Sequence, residues 1–186
     1  MDYNKDELQK CFINYRDFLS TSRIPLWDEL PKIDLYMDQV IEIINDYISV
    51  FKNFNDSATI TPTMINNYVK HKIMPAPAKK KYSKIHLAYI IMICVLKQTL
   101  NISTIQKLLP CDVTEEEAKK TYDSFVKNQY KAFAYVLQEV EKAAKPVFES
   151  NSEDSEKINS IVMQVAASAN ILKCITENVI GLMPKN

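Results

Sequence analysis

Between residues 61 and 84 the chain sets short polar side chains and lysines at a spacing that can grip a polyanion and read the hydrogen-bonding groups on it. Thr63, Asn66, Asn67 and Lys70 fall at i, i+3, i+4 and i+7, so on a helix they share one face. An asparagine amide can pair with the N6/N7 edge of adenine, and a lysine ammonium with O6/N7 of guanine. Further on, Lys79, Lys80, Lys81 and Lys84 offer cations for phosphate, and Tyr68 and Tyr82 offer phenol donors. The competing use of these residues is ordinary: a solvated lysine loop, a polar helix face, and two tyrosines that brace the loop against the helix. Charge distribution favours the first use. From Ser57 to Cys111 there are eight lysines and no acid, whereas Met1 to Asp56 holds six basic residues against eleven acidic ones and Asp112 to Asn186 nine against twelve. A formal net charge of zero thus hides a cationic block.

The elements that must carry these residues can be read from caps and prolines. Thr61 is suited to N-cap a helix and Pro62 to its first position, with Met64, Ile65, Tyr68 and Val69 as the apolar face opposite the polar one. Pro75 and Pro77 stop any continuation, and Ser83 is placed to cap the next helix. That helix is expected to run to about Leu100, and Ile90 to Leu96 is apolar on every side, as the centre of a core should be. Upstream, a strongly amphipathic helix is expected from Asp34 to near Asn53, followed by an asparagine-rich loop to Thr59. Downstream, Ser103 should open a short helix closed by Pro110.

This order resembles the winged helix-turn-helix of MerR-type bacterial regulators. Thr61 to Tyr68 is similar to its recognition helix, Ile73-Met74-Pro75 to its helix exit, and Lys81-Tyr82-Ser83 to its wing end. The similarity continues through Leu87, Ile90, Ile93, Leu96, Leu100, Ile102-Ser103, Ile105 and Leu108-Leu109. Asp34 to Val40 and Ile60 to Lys84 also resemble the signature of a narrower bacterial domain of unknown function with a MerR-like core. The chain departs from the regulators where Asn66 and Asn67 replace an Arg-Tyr pair, where Lys72 replaces a glycine, and in a short wing. The resemblance implies double-stranded DNA as partner, with Thr63, Asn66, Asn67, Tyr68, Lys70, Lys79, Lys80, Lys81, Tyr82 and Lys84 as the contacting residues, and it implies a homodimer.

Three regions are expected: residues 1–33 as an N-terminal helix and connector, 34–110 as the winged helix-turn-helix, and 111–186 as a C-terminal helical hairpin that dimerises. The whole should be all-α, since one glycine and many helix formers suit helices. Asn4 and Glu7 make a capping-box-like start for the first helix, which should end near Ser20. The proline-bracketed connector from Arg23 to Pro31 carries Trp27, the only tryptophan, whose expected use is packing on the core. Thr114 with Glu117 opens a helix of about thirty residues expected to stop at Pro146. Ile158, Ile161, Val165, Ser168, Leu172, Ile175, Val179 and Leu182 then alternate three and four apart, a heptad seam.

The same residues exclude several classes of function. Gly181 is the only glycine, so no glycine-rich phosphate cradle exists. No nucleophile, histidine and acid fall into a catalytic pattern, and neither enzyme activity, a cofactor nor a metal site is expected. Cys11, Cys94, Cys111 and Cys174 are dispersed and read as reduced, mostly buried thiols of a cytoplasmic protein. His71 and His86 read as a surface and a helix-start histidine. No signal peptide opens the chain, and the apolar run from Leu87 to Leu96 is too short to span a membrane. Tyr122, Phe125, Tyr130, Phe133 and Tyr135 are rich enough in rings to line a pocket for an unknown small-molecule effector, against the commoner use of packing a core. The expectation is therefore a sequence-specific DNA-binding transcriptional regulator. The alternative is an all-helical adaptor that keeps the helix-turn-helix scaffold and binds a protein partner's acidic surface.

Overall fold

A computed structural model of the chain describes residues 4–21, 23–49, 59–149 and 155–183. Among them the fold is all-α: α1 (Lys5–Thr21), α2 (Met37–Tyr47), α3 (Pro62–Lys70), α4 (Lys84–Leu96), α5 (Ile102–Leu108), α6 (Glu115–Glu149) and α7 (Ser155–Gly181). A single 3₁₀ turn, Trp27–Glu29, interrupts the connector. The chain divides into two compact units, one of Arg23–Asn128 with the segment from Glu177, the other of α1 with residues 129–176.

The first unit is organised around α4, whose residues from His86 to Val95 are all buried. Such a helix has no face left for water, which explains its uniformly apolar sequence. Helix α2 packs against both α4 and α3, burying Val40 and Ile44. The connector closes one side. Trp27 is 3 % exposed, its ring meets Tyr122 edge-on at 6.3 Å, and its backbone N–H donates to Asp123 Oδ1 at 2.9 Å. The Tyr122 hydroxyl donates to the Pro25 carbonyl at 2.8 Å, and Lys119 pairs with Asp28 at 2.7 Å. The tryptophan is thus a packing residue, as its place between prolines predicts.

Helix ends differ from expectation where local hydrogen bonding decides. α2 stops at Tyr47, short of Asn53; residues 50–58 lie outside the described ones. α4 stops at Leu96 rather than Leu100, because Gln98 and Thr99 donate to Val95 and Leu96 in tighter turns and the Gln98 amide donates to the Cys94 carbonyl. Asn101, not Ser103, caps α5: its Oδ1 accepts from the Thr104 amide at 2.9 Å and from the Ser103 hydroxyl at 2.7 Å. α6 continues through Pro146 to Glu149. The missing proline N–H leaves only the Lys142 carbonyl unanswered, about two turns from the helix end.

In the second unit, Ala144, Val147 and Ile158 are buried and Arg16 approaches Glu141 at 3.9 Å. The heptad seam of α7 lies largely in the open: Val165 is 44 %, Leu172 61 % and Ile175 54 % exposed, and beyond this unit Val179 reaches 60 %. By length and composition α7 is also apolar enough to cross a membrane, with an 18-residue window of mean hydropathy 1.3. The thiols are not mostly buried. Cys94 is, and burial pushes its pKa up to about 12, but Cys11 and Cys174 are exposed and Cys111 is intermediate.

Candidate nucleic-acid interface

Helix α3 starts as its sequence predicts. Thr61 Oγ1 accepts from the Met64 amide at 3.3 Å, and Pro62 occupies the first turn. Ile65 and Tyr68 turn inward at 0 % and 5 % exposure, leaving Thr63, Asn66, Asn67 and Lys70 exposed together on the outer face. The helix then ends in a left-handed cap. Lys72 has φ 53°, its N–H donates to the Val69 carbonyl, and the Ile73 N–H donates back to Tyr68 at 2.9 Å. This is a Schellman motif, with Ile73 and Tyr68 as its buried apolar pair, and its left-handed position is where glycine is the usual residue. The Gln106 amide and the Cys111 thiol donate to the His71 and Lys72 carbonyls at 3.1 and 2.8 Å, which pins the helix exit to the segment around α5.

The lysine run forms a minimal hairpin. Ala78 bridges Lys81, with the Lys81 N–H on the Ala78 carbonyl at 2.9 Å, and the two residues between, Lys79 and Lys80, have φ 50° and 61°. Two central residues at positive φ define a type I′ turn, normally Asn-Gly or Gly-Gly. Here both positions carry a lysine, and the left-handed conformation costs each about 1 kcal/mol. The hairpin is fixed at its base, where Tyr82 and Leu35 exchange both backbone hydrogen bonds at 2.9 Å. Lys81 Nζ stands 5.3 Å above the ring of Tyr36, a cation–π contact that aims it beside the turn.

Of the ten residues singled out in the sequence, Thr63, Asn66, Asn67, Lys70, Lys79, Lys80 and Lys81 are exposed. Tyr68 and Tyr82 are buried, and burial raises both phenols, Tyr68 to about 12. Lys84 is partly covered: its ammonium donates to the Trp27 carbonyl at 3.1 Å and lies 5.9 Å from the Trp27 ring. Tyr36, 57 % exposed beside Lys81, belongs to the same surface and escaped the sequence reading, because its position at the start of α2 made it look like part of an apolar face. Only the pairing of Leu35 with Tyr82 brings it there.

The five aromatic residues considered for an effector pocket do not share one environment. Tyr122 is spent on the connector, Tyr135 is 65 % exposed, and a groove in the second unit is lined instead by Ile13, Leu137 and Phe148 with Arg16 and Glu141 at its rim.

Compared with known proteins, the chain matches one family model, described as a domain of unknown function (DUF1836), over residues 25–133. That match covers more than half of the 186 residues and falls on the unit that carries α3 and the hairpin. No curated protein and no solved structure matches the chain.

Proposed function

The chain belongs to the DUF1836 family, a domain of unknown function, and we propose that it is a sequence-specific, MerR-like DNA-binding regulator of transcription, cytoplasmic and homodimeric, with no catalytic step of its own. The observation that carries this reading is that the exposed polar face of α3 and a turn of exposed lysines in left-handed backbone lie in one segment, Ser57 to Cys111, that holds no acid. Strained residues persist where their placement is used, and a turn that held only a loop would be met more cheaply by asparagine and glycine.

In this reading α3 enters the major groove. Asn66 and Asn67 pair with adenine, and Lys70 and Thr63 fill the remaining positions. Both arginines, Arg16 and Arg23, lie outside the basic block, so the bidentate arginine–guanine contact is missing and the operator leans to A·T. Lys79, Lys80 and Lys81 take phosphates beside the groove, with Tyr36 at the edge of that contact. Tyr68 and Tyr82 hold the helix and the hairpin from within, and Lys84 is engaged by Trp27 of the connector. The seam of α7 pairs two copies, which sets two α3 helices on successive turns of a pseudo-palindromic site. Asn159, Asn170 and Glu177 lie on the face of α7 opposite the seam, together with Met163 and Ala166.

Selection from random duplex DNA by the full chain at near-physiological salt tests the proposal. The expected product is a symmetric, A·T-leaning motif. The control replaces Lys79-Lys80 by Asn-Gly and Lys81 by alanine, which keeps the turn and removes its charge, and enrichment should be lost. A folded, dimeric protein that enriches nothing would instead point to the helical adaptor.

A further inference from the structure

His86 occupies the third position of α4 and is 8 % exposed. Its Nδ1 accepts the Ser83 backbone N–H at 2.9 Å and lies 2.9 Å from the Ser83 hydroxyl, so the ring does what a glutamate or glutamine does in a capping box. Since Nδ1 is an acceptor, the neutral ring carries its proton on Nε2. The ring also meets Tyr82 edge-on, centroids 5.6 Å apart at 83°. Tyr82 in turn is the residue whose two backbone bonds to Leu35 fix the hairpin base.

We infer that His86 is a positioning residue for the basic hairpin, latching it as a neutral imidazole and releasing it on protonation; the effect on duplex binding rests on the function proposed above, the latch itself does not. A second proton can enter only at Nδ1, where it would confront the Ser83 N–H. The Ser83 hydroxyl can rotate to accept it, but the Ser83 amide is then left without its partner, next to the Tyr82–Leu35 pair.

The groups facing the ring from other elements divide in their effect. A hydrogen bond to the Ala76 backbone, in the loop before the hairpin, favours the charged form, as do Asp34 of the connector and, on the ring's own element, the Ser83 backbone, while the Tyr82 ring from the hairpin is neutral. Burial outweighs them and lowers the His86 pKa below its ordinary value. The folded protein therefore keeps the neutral form where an unfolded chain, titrating at about 6.5, already binds a proton. The latch is intact above that pH and opens as pH falls through the lower, folded value.

The test is made on the full chain. Imidazole ¹⁵N and ¹³C shifts of His86 are followed from pH 7.5 to 4.5, together with hydrogen exchange at the Leu35 and Tyr82 amides corrected for intrinsic rates. The expected result is the Nε2-protonated tautomer at pH 7.5 and a fall of about tenfold or more in protection of both amides, with the midpoint of the ring's titration. His86→Gln keeps an acceptor at every pH and should abolish the fall. Protonation of His86 without loss of protection, or the same loss in the glutamine variant, overturns the inference. If that variant does not fold, the match of midpoints in the unaltered chain decides. Duplex affinity is measured at pH 7.5 and 5 in parallel. Amides that respond while no duplex binds at either pH would sink the DNA reading and leave the latch standing.

Discussion

Lys72, Lys79 and Lys80 are the described residues other than glycine with positive φ, and all three lie in the acid-free block. Each sits in a position that glycine or asparagine would fill without strain. Replacing Lys79-Lys80 by Asn-Gly should therefore raise unfolding free energy by about 1 kcal/mol, the relief at two left-handed positions less the extra freedom glycine gives the unfolded chain. The same change should weaken duplex binding. Urea unfolding and a binding titration on one preparation would show the two effects with opposite sign, and a fall in stability would contradict the turn geometry. At this scale the sequence was readable in part. The polar face of α3 follows from spacing alone, whereas the left-handed cap at Lys72 was not read from the sequence, because a lysine does not announce a position that glycine usually fills. The burial of His86 was not readable, because nothing in a helix-start histidine says which neighbours will close over it.

Helices were legible to the extent that their signals are local. Thr61-Pro62 and Thr114 with Glu117 produce the caps they promise; Thr114 and Glu117 satisfy each other through the Thr114 amide, at 2.8 Å, and the Glu117 amide, at 3.3 Å. Helix α4 was identified as central because a run with no polar face has no place but a core. The ends of α4 and α6 were less legible, since Gln98 stops one with its own amide and Pro146 interrupts the other too late to stop it. Helix α7 poses the energetic question of the molecule. Val165, Leu172, Ile175, Val179 and Leu182 stand 44–85 % exposed. Burying what each leaves in water contributes on the order of 1 kcal/mol, or roughly 10 kcal/mol for two chains. That is within the estimated cost of association, about 4–15 kcal/mol. A charge at the middle of the seam should tip this balance. Leu172→Asp is expected to shift the chain from dimer to monomer by sedimentation velocity, with helix content by circular dichroism nearly unchanged. A variant that sediments like the unaltered protein would remove α7 from the interface.

For the whole molecule the governing quantity is the segregation of charge, which no net figure reveals. If about four lysines of each subunit meet phosphate, two subunits neutralise about eight, and the logarithm of affinity should fall with the logarithm of salt at a slope of about −7. A titration from 50 to 200 mM salt with a nearly flat response would mean that the lysines face water. The connector was legible only as a packed segment, because its partners are distant in the chain: Pro25 is bonded to Tyr122, Trp27 to Asp123 and Asp28 to Lys119. That separation matters during synthesis. At about 5–20 residues per second, some 5–20 s pass between translation of Trp27 and translation of its seat. For that interval the nascent chain carries Trp27 without Tyr122 and Asp123 to receive it. A message truncated after Pro110 would therefore yield not a smaller folded domain but a lasting client for the chaperones that meet chains at the ribosome.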